Sequence, residues 1–98
     1  MEYTEEEYVA FHIIKNIVGE KVNPGRLTRS EAKSYLAVLL DNSAHKTVCR
    51  VYLLGRKKYI GTISSRKVET KIEITSVSDI HRFSAQLRDI VSHYENRG

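Results

Sequence analysis

The chain has one cysteine, one proline and no apolar run that approaches the length of a membrane span. A single cysteine, Cys49, excludes a disulfide within the chain, and a helix that crosses a bilayer needs about 20 consecutive apolar residues. The first seven residues, Met1 to Glu7, are acidic, whereas a secretion signal begins with basic residues. We therefore expect a cytosolic protein with no membrane partner.

Patterns that carry catalytic chemistry are also scarce. The sequence has no glycine-rich phosphate loop and no serine nucleophile elbow, and its four histidines lack the spacing of a zinc site. Glu69 and Lys71 resemble the Glu-x-Lys half of a metal-dependent nuclease core, with Asp41 as a candidate second ligand. Alternating Glu and Lys is equally typical of a solvent-facing strand, and Cys49 fits a small core residue. We favour a protein that is not an enzyme and needs no metal or cofactor.

Length and patterning predict one α+β domain over residues 1–98. Thr28 with Glu31 fits the cap of a short helical turn. Short connections predict that the strands form a four-stranded antiparallel meander. The predicted strands cover residues 35–40, 47–54, 59–64 and 68–74.

Two helices are predicted to flank this sheet in the order α-β-β-β-β-α, both on one face. Thr4 and Glu7 fit a capping box for the first helix, which Gly19 would end in a left-handed turn. Ser76 and Asp79 resemble a second capping box, after which a long helix follows. The apolar stripes comprise Tyr8, Phe11, Ile13 or Ile14, Ile17 and Val18 on the first helix and Ile80, Phe83, Leu87, Ile90, Val91 and Tyr94 on the second.

Positive charge is concentrated in the middle of the chain. Residues 21–71 contain twelve Lys and Arg residues and three acidic residues, which gives this segment a net charge of +9. The whole chain has a net charge of +4, because the two flanking segments are acidic. A segment this basic attracts polyanions, so phosphate contacts of a nucleic acid are the expected function. The leading candidates for these contacts are Arg56, Lys57, Lys58, Arg66 and Lys67, and the secondary ones are Arg29, Lys33 and Arg50.

Other interpretations of the same residues stay open. Lys and Arg at turns and sheet edges also prevent unwanted strand pairing. Tyr52 or Tyr59 would add base stacking if they point outward. A small sheet with an exposed edge can instead dimerise or bind an acidic protein, so an interaction or inhibitor module is the alternative function.

Three segments resemble a known domain: residues 34–42, residues 48–52 (Val-Cys-Arg-Val-Tyr) and residues 57–61 (Lys-Lys-Tyr-Ile-Gly). They are similar to the domain that follows a nuclease domain of restriction-type proteins, itself similar to the N-terminal part of type I restriction-enzyme R subunits. The flanking helices fit the same pattern. The resemblance implies a DNA-defence or mobile-element setting and a role beside a nuclease, and it carries no catalytic residue over to this chain. We predict an accessory domain that contacts the backbone of nucleic acid, DNA by this resemblance, with weak base preference.

Overall fold

A five-stranded antiparallel sheet flanked by an N-terminal and a C-terminal helix forms the fold in the computed structural model, which describes residues 5–31, 35–64, 66 and 68–96. The predicted α+β class is confirmed, with five strands in place of four. Strand order in the sheet equals chain order. The elements are α1 (Glu5–Val18), β1 (Leu27–Glu31), β2 (Leu36–Leu40), β3 (Ser43–Tyr52), β4 (Lys58–Ile63), β5 (Glu69–Ile74) and α2 (Ser84–Asn96), with 3₁₀ helices at Pro24–Arg26 and Val77–Phe83.

The additional strand is β1, which the sequence predicted as a short helical turn capped by Thr28. Its five residues instead pair antiparallel with β2, from Leu27 opposite Leu40 to Glu31 opposite Leu36. Leu27 is buried in the core. β2 is a wholly apolar, buried strand, and its polar backbone groups need partners on both sides. Pairing with β2 therefore outweighs the weak local preference for a turn.

The predicted caps of the two helices and the predicted end of α1 differ from the structure. The Thr4 cap lies outside the described residues, and Gly19 follows α1 without adopting a left-handed backbone. The Ser76 side chain makes no capping bond; Asp79 instead accepts bonds from the amide and hydroxyl of Thr75, at 2.9 and 2.7 Å. The first part of the predicted long helix is a 3₁₀ helix, Val77–Phe83, and the α-helix begins only at Ser84. No helix in the described part of the chain is long and apolar enough to cross a membrane.

The hydrophobic core lies between the helices and one face of the sheet. α1 packs on α2 and on the Val77–Phe83 helix, and α2 packs on β3 and β4. Most residues of the predicted helix stripes are buried there, but Ile13 and Phe83 are half-buried. Tyr8 is 53% exposed, while the neighbouring Glu7 is buried. The largest fully buried side chains are Ile14, Leu36, Leu40, Ile60, Ile80 and Leu87.

A two-residue turn joins β2 to β3. Asp41 and Asn42 have φ angles of 57° and 56° and connect the paired residues Leu40 and Ser43, as in a type I′ hairpin. Arg26 fixes this turn, because its guanidinium binds both carboxylate oxygens of Asp41 at 2.8 and 2.6 Å. The same guanidinium binds Glu95 of α2 at 2.8 Å, so one arginine joins the hairpin to the C-terminal helix.

We predict that Asn42→Val lowers the free energy of unfolding by about 1–2 kcal/mol, because a β-branched side chain is strained at positive φ. Asn42→Gly should leave the stability unchanged or raise it slightly. Urea denaturation measures both, with Thr70→Val as the matched control, since Thr70 is exposed on β5 and has no positive φ. Equal losses for the two valine variants would contradict the turn assignment.

Candidate nucleic-acid interface

The two faces of the sheet carry different side chains, because successive residues of a strand point to opposite sides. Val51, Ile60 and Ile72 form one cross-strand row and face the helices. The adjacent rows must face away from them. These rows are Arg50–Gly61–Lys71 and Tyr52–Tyr59–Glu73. We call the surface formed by these two rows, together with Tyr35 and Glu69, the open face.

Aromatic rings and cations are in contact on the open face. The Tyr35 and Tyr52 ring centroids are 5.4 Å apart. The Lys71 ammonium lies 4.2 Å from the Tyr52 centroid and 4.8 Å from that of Tyr59. The Arg50 guanidinium carbon lies 5.4 Å from the Tyr35 centroid. These contacts are attractive because the face of an aromatic ring is electronegative. Three half-buried rings and two cations thus share one solvent-facing surface.

Glu69 reaches this cluster from the far side of β4. Its Oε2 accepts a 2.6 Å hydrogen bond from the Tyr52 hydroxyl, and its Oε1 accepts a 2.9 Å bond from Arg50. The side chain crosses β4 above Gly61, and a Cβ atom at position 61 would overlap the Glu69 carboxylate. A glycine at this position is therefore what lets Glu69 contact β3.

The Glu69 carboxylate also influences the protonation of its partners. Burial, followed by donation to Glu69, raises the pKa of Tyr52 to about 12. Burial alone would lower the pKa of Arg50, but the neighbouring carboxylate more than offsets this and the pKa rises. Tyr52 is therefore a hydrogen-bond donor and Arg50 a cation throughout the neutral pH range.

The basic loop residues stand at the two ends of the open face. Arg56 and Lys57 are exposed in the connection from β3 to β4, and Arg66 is exposed in the connection from β4 to β5. These connections lie at opposite ends of β4, which has six residues and therefore spans about 17 Å. The predicted loop residues do not form one patch, but they stand on either side of the aromatic cluster.

Two predicted contact residues lie on the helix side instead. Lys58 begins β4 and its ammonium binds Glu6 of α1 at 2.5 Å. Arg29 is exposed on β1 and pairs with Val38, a core residue, so it belongs to the same side of the sheet. The sequence could not distinguish these positions because their faces depend on strand register. The other two predicted residues, Lys33 and Lys67, lie outside the described residues.

The carboxylates of the hypothesised nuclease site have separate partners. Glu69 and Lys71 share a face of β5, but Glu69 is bound by Arg50 and Asp41 by Arg26. The Arg26 contacts lower the pKa of Asp41 to about 2. No three His, Cys, Asp or Glu side chains among the described residues are grouped as ligands of a metal ion.

Cys49 lies in the core, as the sequence predicted for a small strand residue. It is fully buried on β3, and burial raises the pKa of its thiol to about 12. The thiolate is the nucleophilic form of cysteine, so this residue is not an available nucleophile near neutral pH.

Tyr35 and Lys71 are members of the cluster that the sequence did not identify as binding residues. Tyr35 opens the run of residues 35–40, in which every side chain is apolar or aromatic. Such a run gives no indication of which residues face the helices. The alternation Glu69-Thr70-Lys71 did indicate a shared face, but the partners of that face on β3 follow only from the register.

We predict that Glu69→Ala lowers the pKa of Tyr52 toward its ordinary value of 10, because it removes the acceptor of the phenolic proton. The protonated phenol of the folded protein contributes stability below pH 10 that is lost as pH rises from about 10 to about 12. NMR of the protein with ¹³C-labelled tyrosine, recorded as the pH is raised to about 11, follows the titration of each tyrosine ring separately. Glu73→Ala is the control, and an unchanged Tyr52 titration in Glu69→Ala would contradict the assigned bond.

Comparison with known proteins identifies no relative of this chain. No family model, no curated protein and no solved structure matches the chain. The resemblance to a domain of restriction-type proteins therefore stays a prediction, and function has to be argued from the side chains of the open face.

Proposed function

We propose that the chain binds single-stranded nucleic acid on the open face of its sheet. The observation that carries this proposal is the group of three tyrosine rings with Arg50 and Lys71 on the surface that the helices leave uncovered. Bases stack on aromatic rings, and cations beside the rings attract the backbone. This combination is typical of proteins that bind single strands.

A single strand fits this surface better than a duplex does. Bases of a duplex are stacked on each other, so a flat aromatic face cannot contact them without unpairing, whereas bases of a single strand are accessible. Stacking also tolerates every base. We therefore expect weak sequence preference, in agreement with the prediction from composition.

The basic loops extend the surface along the path of the strand. Arg56 and Lys57 at one end and Arg66 at the other would bind phosphates on either side of the stacked bases. Their separation of about 17 Å suits a site of a few nucleotides, near the lower end of the roughly 4–16 nucleotides that one OB-fold domain binds. Phosphate contacts hold the strand in place, and the tyrosines distinguish it from a duplex.

The cellular setting that we propose for this activity is supported only by the sequence. An accessory role beside a nuclease, in restriction or on a mobile element, is what the resemblance implies, with DNA as the expected strand. The cytosol stays the expected compartment. A protein partner or a dimer formed through a sheet edge stays the alternative.

We predict that Tyr59→Ala weakens binding of a labelled single strand by about 5- to 150-fold, the loss of one stacked base. Fluorescence anisotropy at several salt concentrations measures the dissociation constant. Tyr8→Ala is the matched control, because Tyr8 is a 53% exposed tyrosine on α1, away from the open face. Tyr59→Ala should leave weak duplex binding almost unchanged. Equal effects of the two variants on the single strand would contradict the proposal.

A further inference from the structure

The position of the Glu69 carboxylate is unusual for a surface that attracts polyanions. It lies among the donors of the open face, 2.9 Å from an Arg50 nitrogen and 2.6 Å from the Tyr52 hydroxyl oxygen. Lys71 holds its ammonium over the ring of the same Tyr52. One anion thus already occupies the most donor-rich part of the proposed binding surface.

The same donors suit a phosphate group. Arginine binds phosphate and carboxylate oxygens with the same geometry, and a tyrosine hydroxyl is among the side-chain donors that contact phosphates. The raised pKa of Tyr52 keeps its hydroxyl protonated and able to donate. A phosphate oxygen could therefore replace each Glu69 oxygen without loss of a hydrogen bond on the protein side.

Glu69 is also placed where its side chain can leave. It is the first residue of the edge strand β5, and its side chain retains 25% of its exposure while it contacts Arg50. The carboxylate reaches β3 only through the space above Gly61. Rotation of the side chain toward the solvent beyond β5 would expose Arg50 and Tyr52 without any change of the sheet.

We propose that Glu69 occupies a phosphate subsite of the nucleic-acid surface and is displaced when a strand binds. This inference rests on the proposed function. In the unbound protein the carboxylate accepts the hydrogen bonds of Arg50 and Tyr52. In the complex one phosphate of the strand accepts them instead. Glu69 therefore competes with the ligand and lowers its affinity, so that weakly bound polyanions do not occupy the site.

Three variants separate this competition from a simple change of charge. Glu69→Ala removes the competing carboxylate. Glu73→Ala removes the same charge from the same strand and the same face, but Glu73 pairs with Tyr59 rather than reaching Arg50. Gly61→Ala retains every charge and forces the Glu69 carboxylate out of its place, because the new methyl group would overlap it. Circular dichroism and thermal unfolding establish that each variant is folded.

Anisotropy with a labelled oligothymidylate across a range of salt concentrations is the readout. We expect Glu69→Ala to bind about 10-fold more tightly than the wild type. Its salt dependence should equal that of the wild type, because the same phosphate contacts Arg50 in both complexes and only the displacement of the carboxylate is removed. Glu73→Ala should gain about twofold with an unchanged slope, and Gly61→Ala should change in the direction of Glu69→Ala.

Equal gains in affinity for Glu69→Ala and Glu73→Ala would overturn the subsite, as would weaker binding by both Glu69→Ala and Gly61→Ala. If Tyr59→Ala still loses affinity in that case, the proposed function stands and only the displacement is wrong. Binding that appears in Glu69→Ala but not in the wild type would support the displacement. Absence of single-strand binding in the wild type and in all three variants would overturn the inference and the proposed function together. If Glu69→Ala does not fold, Gly61→Ala decides the outcome.

Discussion

The absence of a side chain at Gly61 determines what the open face can contain. Gly61 stands between Arg50 and Lys71 in a cross-strand row, and any larger residue would fill the space through which Glu69 reaches β3. Glycine weakens a strand because its backbone loses more conformational entropy on folding than that of other residues, and because it has no side chain to pack. Here the missing side chain allows a charge-assisted contact that links β5 to β3 across β4. The missing side chain thus lets Glu69 join the tyrosine cluster through Arg50 and Tyr52.

The rest of the molecule supports this face from behind. Core residues of β2, β3 and β4 pack against α1 and α2, so one side of the sheet is fixed. The other side carries the polar and aromatic side chains of β3, β4 and β5 beside Ala37, Leu39 and Ile63. Arg26 ties the β2–β3 turn to α2 through Asp41 and Glu95. These contacts are partly exposed, and such ion pairs contribute little stability individually. Their effect is to set the position of the hairpin that carries Arg50 and Tyr52.

The sequence predicted the elements with strong patterns and missed those that depend on partners. The alternation in residues 68–74 and the apolar run of residues 35–40 predicted β5 and β2, because a half-buried or buried strand imposes these patterns. Residues 47–54, which end before Gly55, predicted β3. β1 is short and polar apart from Leu27, and it becomes a strand because β2 offers it an edge. The exposure of Arg56, Lys57 and Arg66 follows from turn composition alone.

The residues of the site could be predicted only in part, because their grouping depends on how the strands pair. Tyr52 and Tyr59 were candidates for stacking on the condition that they point outward, and the cross-strand register satisfies that condition. The register also brings Lys71 onto their rings and turns Lys58 toward Glu6. A slip of one residue would reverse both placements. Pairing between strands is a tertiary property, so one sequence does not specify which loop lysines and which strand residues share a surface.

The most direct test of binding on the open face is an NMR titration of the ¹⁵N-labelled protein with a short unlabelled single strand. We predict that the signals of Arg50, Tyr52, Tyr59 and Lys71 shift together and saturate with one dissociation constant, while the exposed side of α1 is unaffected. Signals that shift mainly on α1 and α2, or equally at all exposed lysines and arginines, would contradict binding on this face.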